Sequence, residues 1–124
     1  MINMKNAILI IICICFLFAC SEREQYEKIT GEWECISWVN QVTGDQKCDD
    51  NVYFKFDMEK NYVSKLGVAV DSGRYKIIDE ILYVTPKGKS EFGVKITRLD
   101  KDTMVFLMNR AGEEEILELT KTSE

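Results

Sequence analysis

The residues that could do chemistry in this chain are its cysteines and its carboxylates. Of 124 residues, 5 are cysteine and 21 are Asp or Glu, whereas histidine is absent. The chain therefore lacks the usual general base near neutral pH and the commonest metal ligand. A Cys–His or Ser–His catalytic pair is excluded, and we expect a protein that is not an enzyme and binds neither a metal nor a cofactor.

Cys20 stands where the composition of the sequence changes most abruptly. An apolar run of 13 residues, 7–19, precedes it, and the polar stretch Ser21–Gln25 follows. As a helix this run would reach about 20 Å, which is short of the ~30 Å hydrocarbon core of a bilayer. A basic start at Lys5, a short apolar core and a small residue before the cut are typical of a secretory signal peptide.

The residues that end this run resemble the lipobox of bacterial lipoproteins. Leu17, Ala19 and Cys20 match its pattern, while Phe18 is larger than the residue usually found there. The resemblance implies that residues 1–19 are removed as a signal peptide and that Cys20 receives a diacylglyceryl group and a further acyl chain. Several acyl chains would hold the protein at a membrane, whereas one myristoyl chain binds only reversibly. An uncleaved anchor and an ordinary secreted protein are the alternatives.

The mature chain is expected to be one small acidic domain on a tether. Removal of residues 1–19 takes away one cation, Lys5, and no carboxylate, so the net charge moves from −5 to −6. An acidic surface argues against nucleic acid as a partner. Residues 20–28 are polar and without a period, which predicts a flexible, lipidated tether before a domain of residues 29–124. Ser21 resembles the residue after the cysteine in lipoproteins of the outer membrane, so we expect a lipid-anchored protein of the cell envelope.

Two cysteines, Cys35 and Cys48, remain in the mature domain apart from the lipidated one. An exported protein meets an oxidising environment, in which a disulfide between them would be stable. The alternative is two independent thiols, with Cys35 filling space in a strand. Sequence alone does not place their Cα atoms, so both interpretations stand.

Short stretches of alternating polarity, separated by turn residues, predict eight strands. Residues 51–56 show the pattern most strictly, with Val52, Phe54 and Phe56 on the face opposite Tyr53 and Lys55. Strands at this spacing, with short connections, predict an all-β antiparallel up-and-down barrel. The predicted strands are residues 29–39, 51–56, 62–66, 74–77, 81–85, 91–99, 103–108 and 114–120, with residues 67–73 as a loop and no helix from Ile29 onward.

An ordered series of motifs resembles the small lipocalin-like lipoproteins of the Bacteroides group. The series begins with Gly31-Glu32-Trp33 and continues with Phe54-Lys55-Phe56, Gly73-Arg74-Tyr75 and Ile81-Leu82-Tyr83-Val84. The resemblance implies a lipocalin-like barrel of eight strands in which Trp33 plugs one end. The bulky residues expected to line the barrel are Trp33, Phe54, Phe56, Tyr75 and Tyr83.

The first strand also carries two large side chains on its other face. Strict alternation places Trp33, Cys35, Ser37 and Val39 together, which leaves Ile36 and Trp38 on the opposite, outward face. We expect the tether or a partner protein to cover them, because a large apolar surface is seldom left in water.

Two functions follow for such a barrel, and the interior decides between them. An open apolar cavity would make it a binding module for a small hydrophobic ligand at the cell envelope. A plugged barrel with an exposed patch around Trp38 would make it a protein-interaction or assembly component.

The acidic loop with Asp45, Asp49 and Asp50 could bind calcium in principle, but a solvated loop is favoured. Hydrolysis by a pair of carboxylates would require two of them to converge in a cleft.

Overall fold

The computed structural model of the protein describes residues 22–48 and 52–124. Eight strands pair antiparallel with their neighbours in sequence, and the first also pairs with the last to close a barrel. The predicted all-β up-and-down barrel is therefore confirmed. The strands are β1 (Gly31–Asn40), β2 (Val52–Phe56), β3 (Asn61–Leu66), β4 (Ala69–Ile78), β5 (Ile81–Pro86), β6 (Phe92–Leu99), β7 (Thr103–Arg110) and β8 (Glu113–Ser123).

Alternation along the strands decides which side chains form the core. In β8, Leu117 and Leu119 are buried, whereas Ile116 before them and Glu118 between them are more exposed. Successive side chains of a strand point to opposite faces, so one face of each strand lines the interior and the other meets water. The apolar residues that the barrel encloses include Trp33, Phe56, Ile77, Met104, Phe106, Leu117 and Leu119.

Two-residue turns join consecutive strands at both ends of the barrel. Asp79 and Glu80 have φ angles of 49° and 66° between β4 and β5, and Ala111 and Gly112 have φ angles of 55° and 82° between β7 and β8. Two consecutive positive φ values are the geometry of a type I′ turn, whose twist matches that of the flanking strands. These turns fix the register of the hairpins that form the barrel wall.

The fourth strand begins earlier than the sequence indicates. Residues 67–73 were predicted as a loop, but β4 starts at Ala69, and Ala69–Gly73 pair with β3. Gly73 lies opposite Pro86, where a Cβ atom would collide with the carbonyl oxygen of Thr85. Glycine therefore permits a close approach of the two strands at this point. Glycine usually indicates a loop, but Gly73 lies within a strand that packs closely against its neighbour.

Residues 22–29 form a short helix, α1, so the prediction of a flexible tether over residues 20–28 was wrong for residues 22–28. Arg23 and Glu27 make an i,i+4 ion pair at 3.1 Å on its exposed side. Tyr26 and Ile29 face the barrel, and Ile29 is fully buried. Two apolar residues in an otherwise charged segment give no periodic signal, so the helix depends on tertiary contacts that the sequence pattern does not show.

Helix α1 covers one end of the barrel, which we call the closed end. The hydroxyl of Tyr26 accepts a hydrogen bond from the Ile77 backbone N–H at 3.0 Å, and its ring lies 5.9 Å from that of Tyr75. The connections 57–60, 79–80 and 100–102 lie at this end. The opposite, open end is formed by residues 41–48 and the connections 67–68, 87–91 and 111–112. In the ranges 22–48 and 52–124, no helix is long and apolar enough to cross a membrane.

Candidate functional site

A cavity of about 400 Å³ enters the barrel from the open end. Its volume falls within the ≈ 300–1,000 Å³ that is usual for small-molecule sites. The lining comes from all eight strands, so the barrel wall itself forms the site. The main residues around the cavity are Trp38, Phe54, Phe56, Tyr62, Ser64, Leu66, Asp71, Leu82, Val84, Phe92, Val94, Phe106, Met108, Asn109, Arg110 and Leu117.

Aromatic rings form the deep part of the cavity. The rings of Phe54 and Phe106 meet edge to face with centroids 6.3 Å apart, and Phe56 packs edge to face on Tyr75 at 5.0 Å. Such edge-to-face pairs stabilise one another beyond the area that they bury. The floor is therefore rigid and apolar, which suits an apolar ligand that enters from the open end.

Four of the five residues predicted to line the barrel do face its interior. Phe54 and Phe56 contribute to the cavity wall. Trp33 and Tyr75 are buried beneath it, toward the closed end. The Trp33 indole N–H donates to the carbonyl oxygen of Ile29 at 2.8 Å, and Lys121 Nζ lies 5.1 Å from the ring centroid. The expected plug at one end of the barrel is thus formed by Trp33 under α1.

The prediction that Tyr83 lines the barrel was wrong. Its neighbours Leu82 and Val84 are buried inside, so Tyr83 lies on the outer face of β5. Lys76 Nζ sits 5.6 Å from the centroid of its ring. A Cβ atom on the paired residue Gly93 would lie only 3.2 Å from the Tyr83 ring, so this ring covers a glycine on the outer face. Its role is to shield the backbone there rather than to contact a ligand.

Trp38, which the alternation placed outside, lies inside the barrel and lines the cavity. Pairing between β1 and β8 shifts register between Cys35 and Ser37, which is the sign of a β-bulge. The extra residue reverses the alternation, so Trp38 and Asn40 point inward while Ile36 is 52% exposed. Trp38 itself is only 6% exposed. The exposed patch expected around Trp38 is therefore absent from the described surface.

A buried carboxylate, Glu115, organises the polar wall beside Trp38. Its Oε1 accepts a hydrogen bond from the Trp38 indole N–H at 2.9 Å, and its Oε2 accepts one from Lys47 Nζ at 2.5 Å. Arg110 approaches Oε1 at 3.5 Å, and its guanidinium lies 5.3 Å from the centroid of the Trp38 ring. The side chain of Glu115 is 1% exposed, so its charge is balanced within the protein rather than by water.

These contacts keep Glu115 ionised. Burial alone would raise the pKa of its carboxyl, but the hydrogen bonds from Lys47 and Trp38 and the nearby charges of Lys47 and Arg110 outweigh burial. The pKa therefore lies below its ordinary value of 4.5. Sequence reasoning missed this residue, because a glutamate run at 113–115 reads as solvated surface.

Polar groups also lie on the opposite side of the cavity, on β3 and β4. Tyr62 and Ser64 are buried in the wall, and Asp71 stands nearer the mouth. Burial, with a smaller contribution from the charge of Asp71, raises the pKa of the Tyr62 hydroxyl, which stays protonated and can donate a hydrogen bond. Lys89 Nζ contacts Asp71 Oδ1 at 3.2 Å, so a cation already accompanies this carboxylate. Within the described residues, Asp71 is the one carboxylate that lines the cavity.

The connection after β1 folds back along that strand and completes the wall. The Lys47 backbone N–H donates to the carbonyl oxygen of Trp38 at 2.7 Å, and that of Asn40 donates to Asp45 at 3.0 Å. The structure joins Cys35 and Cys48 in a disulfide, with their Cα atoms 5.7 Å apart. Closing a short loop of this kind contributes about 3 kcal/mol in the chain-entropy model. The disulfide holds the segment that carries Lys47 against β1.

Several sequence-based predictions lie outside the described residues. They include the signal peptide 1–19, Cys20 and Ser21, as well as Asp49, Asp50 and Asn51 of the acidic loop. In the part of the chain that the structure covers, no group of three or more Cys, Asp or Glu side chains could hold a metal ion.

A further depression of about 630 Å³ lies against β3, β4 and the 87–89 connection. It is shallow and lined largely by exposed residues, so it offers a ligand less enclosure than the cavity.

Comparison with known proteins finds similarity in structure but not in sequence. No protein-family model and no curated protein matches the chain. A lipocalin-like protein from Bacteroides uniformis superimposes with a TM-score of 0.61 at 11% identity, over 77% of this chain and 99% of that one. An uncharacterized protein from Bacteroides eggerthii also superimposes with a TM-score of 0.61, at 13% identity over 76% and 99% of the two chains. The closed barrel, its plug under α1 and these neighbours show that the chain has the lipocalin-like fold of Bacteroides proteins.

Proposed function

We propose that this protein is a non-catalytic binding module for a small, largely apolar molecule, held at the cell envelope by lipid on Cys20. The observation that carries the proposal is the cavity of about 400 Å³ with its aromatic floor. An eight-stranded barrel either fills its interior with side chains or holds one small ligand, and here space remains above Phe56. The single carboxylate among the described lining residues supports binding over hydrolysis by a carboxylate pair.

Lipid on Cys20 would orient the barrel with its mouth away from the membrane. Residue 22, the first residue of α1 that the structure describes, is two residues beyond Cys20, and two residues span at most about 7 Å. Helix α1 packs against the closed end, so the anchor would hold that end at the bilayer. The open end would then face the aqueous phase, where a ligand or a delivering partner could reach it.

The uncharged dye N-phenyl-1-naphthylamine tests the cavity, because its fluorescence rises in apolar surroundings. We expect saturable binding at one site in the domain that begins at Ser21. Met108→Trp places a large ring in the cavity and should weaken binding by about tenfold or more, equivalent to ~1.4 kcal/mol or more. Leu107→Trp is the matched control, since Leu107 pairs with Ile116 on the outer face of the same strand. Equal binding by both variants would place the dye elsewhere and refute the cavity as the site.

Replacing Cys20 by alanine tests the anchor in cells. The unaltered protein should fractionate with membranes and show the added mass of acyl chains, whereas Cys20→Ala should carry no lipid. Ser21→Ala is the control and should still be acylated. A Cys20→Ala protein that still carries the acyl mass would overturn the anchor assignment without affecting the cavity.

A protein-interaction role is the second candidate, and apolar side chains at the open end favour it. Val68 is fully exposed on the β3–β4 turn, and Val70, Phe92 and Val42 are each more than half exposed nearby. A rim of this kind suits contact with another protein as well as ligand entry. Charged replacements at Val68 and Val70 should abolish recruitment of a partner while leaving dye binding unchanged, if this role is the principal one.

A further inference from the structure

The cavity has one positive charge at its mouth. Among the lining residues that the structure describes, Arg110 is the one cation, at the end of β7. Its side chain is 54% exposed, and its guanidinium lies over the ring of Trp38. This cation–π contact places the guanidinium at the edge of the cavity, where it can meet a ligand.

Arg110 makes one ion-pair contact with the described residues, and that contact is long. Glu115 makes its short contact to Lys47, at 2.5 Å, whereas Arg110 is 3.5 Å away. One carboxylate thus serves two cations. Glu113, across the strand pair from Arg110, directs its Oε2 to the Asn40 side-chain N–H at 2.7 Å. A guanidinium has five N–H donors, so most of those of Arg110 remain available to a ligand.

The carboxylate on the other side of the mouth, Asp71, has a closer ion-pair partner. Asp71 receives the Lys89 ammonium group at 3.2 Å. A cationic ligand would have to displace Lys89 to reach this carboxylate, whereas an anionic ligand would find Arg110 open. The electrostatics of the mouth therefore favour an anionic group on the Trp38 side, and the aromatic floor favours an apolar body below it.

We propose that the ligand is an amphipathic anion, with a carboxylate, sulfonate or phosphate group bound by Arg110 and an apolar body between Phe54 and Phe106. This inference rests on the proposed function, because it specifies the ligand of the same cavity. The guanidinium can donate two parallel hydrogen bonds to such a group, an arrangement that lysine does not reproduce.

Two dyes that share a ring system separate this inference from the proposed function. 8-Anilinonaphthalene-1-sulfonate carries a sulfonate, and N-phenyl-1-naphthylamine is its uncharged counterpart. We expect Arg110→Gln to weaken binding of the sulfonate about tenfold, as for one charge-assisted contact in a partly exposed site. Binding of the uncharged dye should change less than twofold. Added salt should weaken binding of the sulfonate dye and leave binding of the uncharged dye unchanged.

Lys65→Gln is the matched control. Lys65 is an exposed cation near the same end of the barrel, but it lies on the outer face of β3 and does not line the cavity. It should leave binding of both dyes unchanged. If Lys65→Gln and Arg110→Gln weaken the sulfonate equally, the effect is one of net charge and the Arg110 site is refuted. If Arg110→Gln affects neither dye while both still bind, the anionic ligand is refuted and the cavity stands. If neither dye binds the unaltered domain, the proposed function itself fails.

Discussion

Replacing Trp33 by alanine is expected to lower the free energy of unfolding by about 3–5 kcal/mol. Trp33 is fully buried, and its indole N–H donates to the Ile29 carbonyl oxygen. The substitution would leave a large void under α1 and an unpaired carbonyl oxygen at the closed end. Domains of this size are stable by only about 5–15 kcal/mol, so the loss is a large share of the total. Urea unfolding followed by circular dichroism, with the disulfide kept oxidised, measures it.

Tyr83→Ala is the control for this experiment, because Tyr83 is an aromatic residue of the outer face. Its ring covers Gly93 and remains partly in water, so its removal should cost about 1 kcal/mol. A loss below that value for Trp33→Ala would place Trp33 outside the core. The plug at the closed end would then be refuted, and with it the orientation of the cavity.

Replacing Glu115 by glutamine is expected to cost about 1.5–3 kcal/mol at pH 7, the range for hydrogen bonds to a charged group. Lys47 would lose its charged partner, although its own partial exposure allows water to compensate in part. The pKa of Glu115 is lowered by folding, so its ionised form stabilises the protein. This stabilisation is fully present above the ordinary pKa of 4.5 and is lost as the pH falls through the lower pKa of the folded state.

The difference between the unaltered protein and Glu115→Gln should therefore shrink as the pH is lowered below about 4.5. Thermal unfolding at a series of pH values measures this difference. Glu114→Gln is the matched control, since Glu114 is exposed on the other face of β8 and should change stability by less than ~0.5 kcal/mol. A difference that stays constant from pH 7 to pH 3 would show that the charge of Glu115 does not stabilise the fold.

The barrel was predictable from the sequence because alternation and turn residues are local signals. Strict alternation from Val52 to Phe56 specifies an inward face without knowledge of the partner strands. Helix α1 was not predictable in this way. Its stability depends on Tyr26 and Ile29 meeting the end of a barrel that closes only when β8 returns to β1.

The cavity wall was predicted only in part, and the β-bulge in β1 explains why. One extra residue between Cys35 and Ser37 turns Trp38 inward, and no glycine marks the position. The sequence contained one indirect signal, namely that strict alternation would leave both Ile36 and Trp38 in water. Glu115 gave no signal, because its partners Trp38 and Lys47 are 77 and 68 residues away in the chain.

The central claim is that the barrel holds a small molecule, and native mass spectrometry of the domain beginning at Ser21 tests it most directly. The domain should be purified gently from its own host, so that a bound molecule survives. The account predicts a second species, heavier than the bare domain by one reproducible small mass that is lost in Met108→Trp and retained in Leu107→Trp. A single empty mass for the unaltered domain, together with no binding of either dye, would contradict the claim.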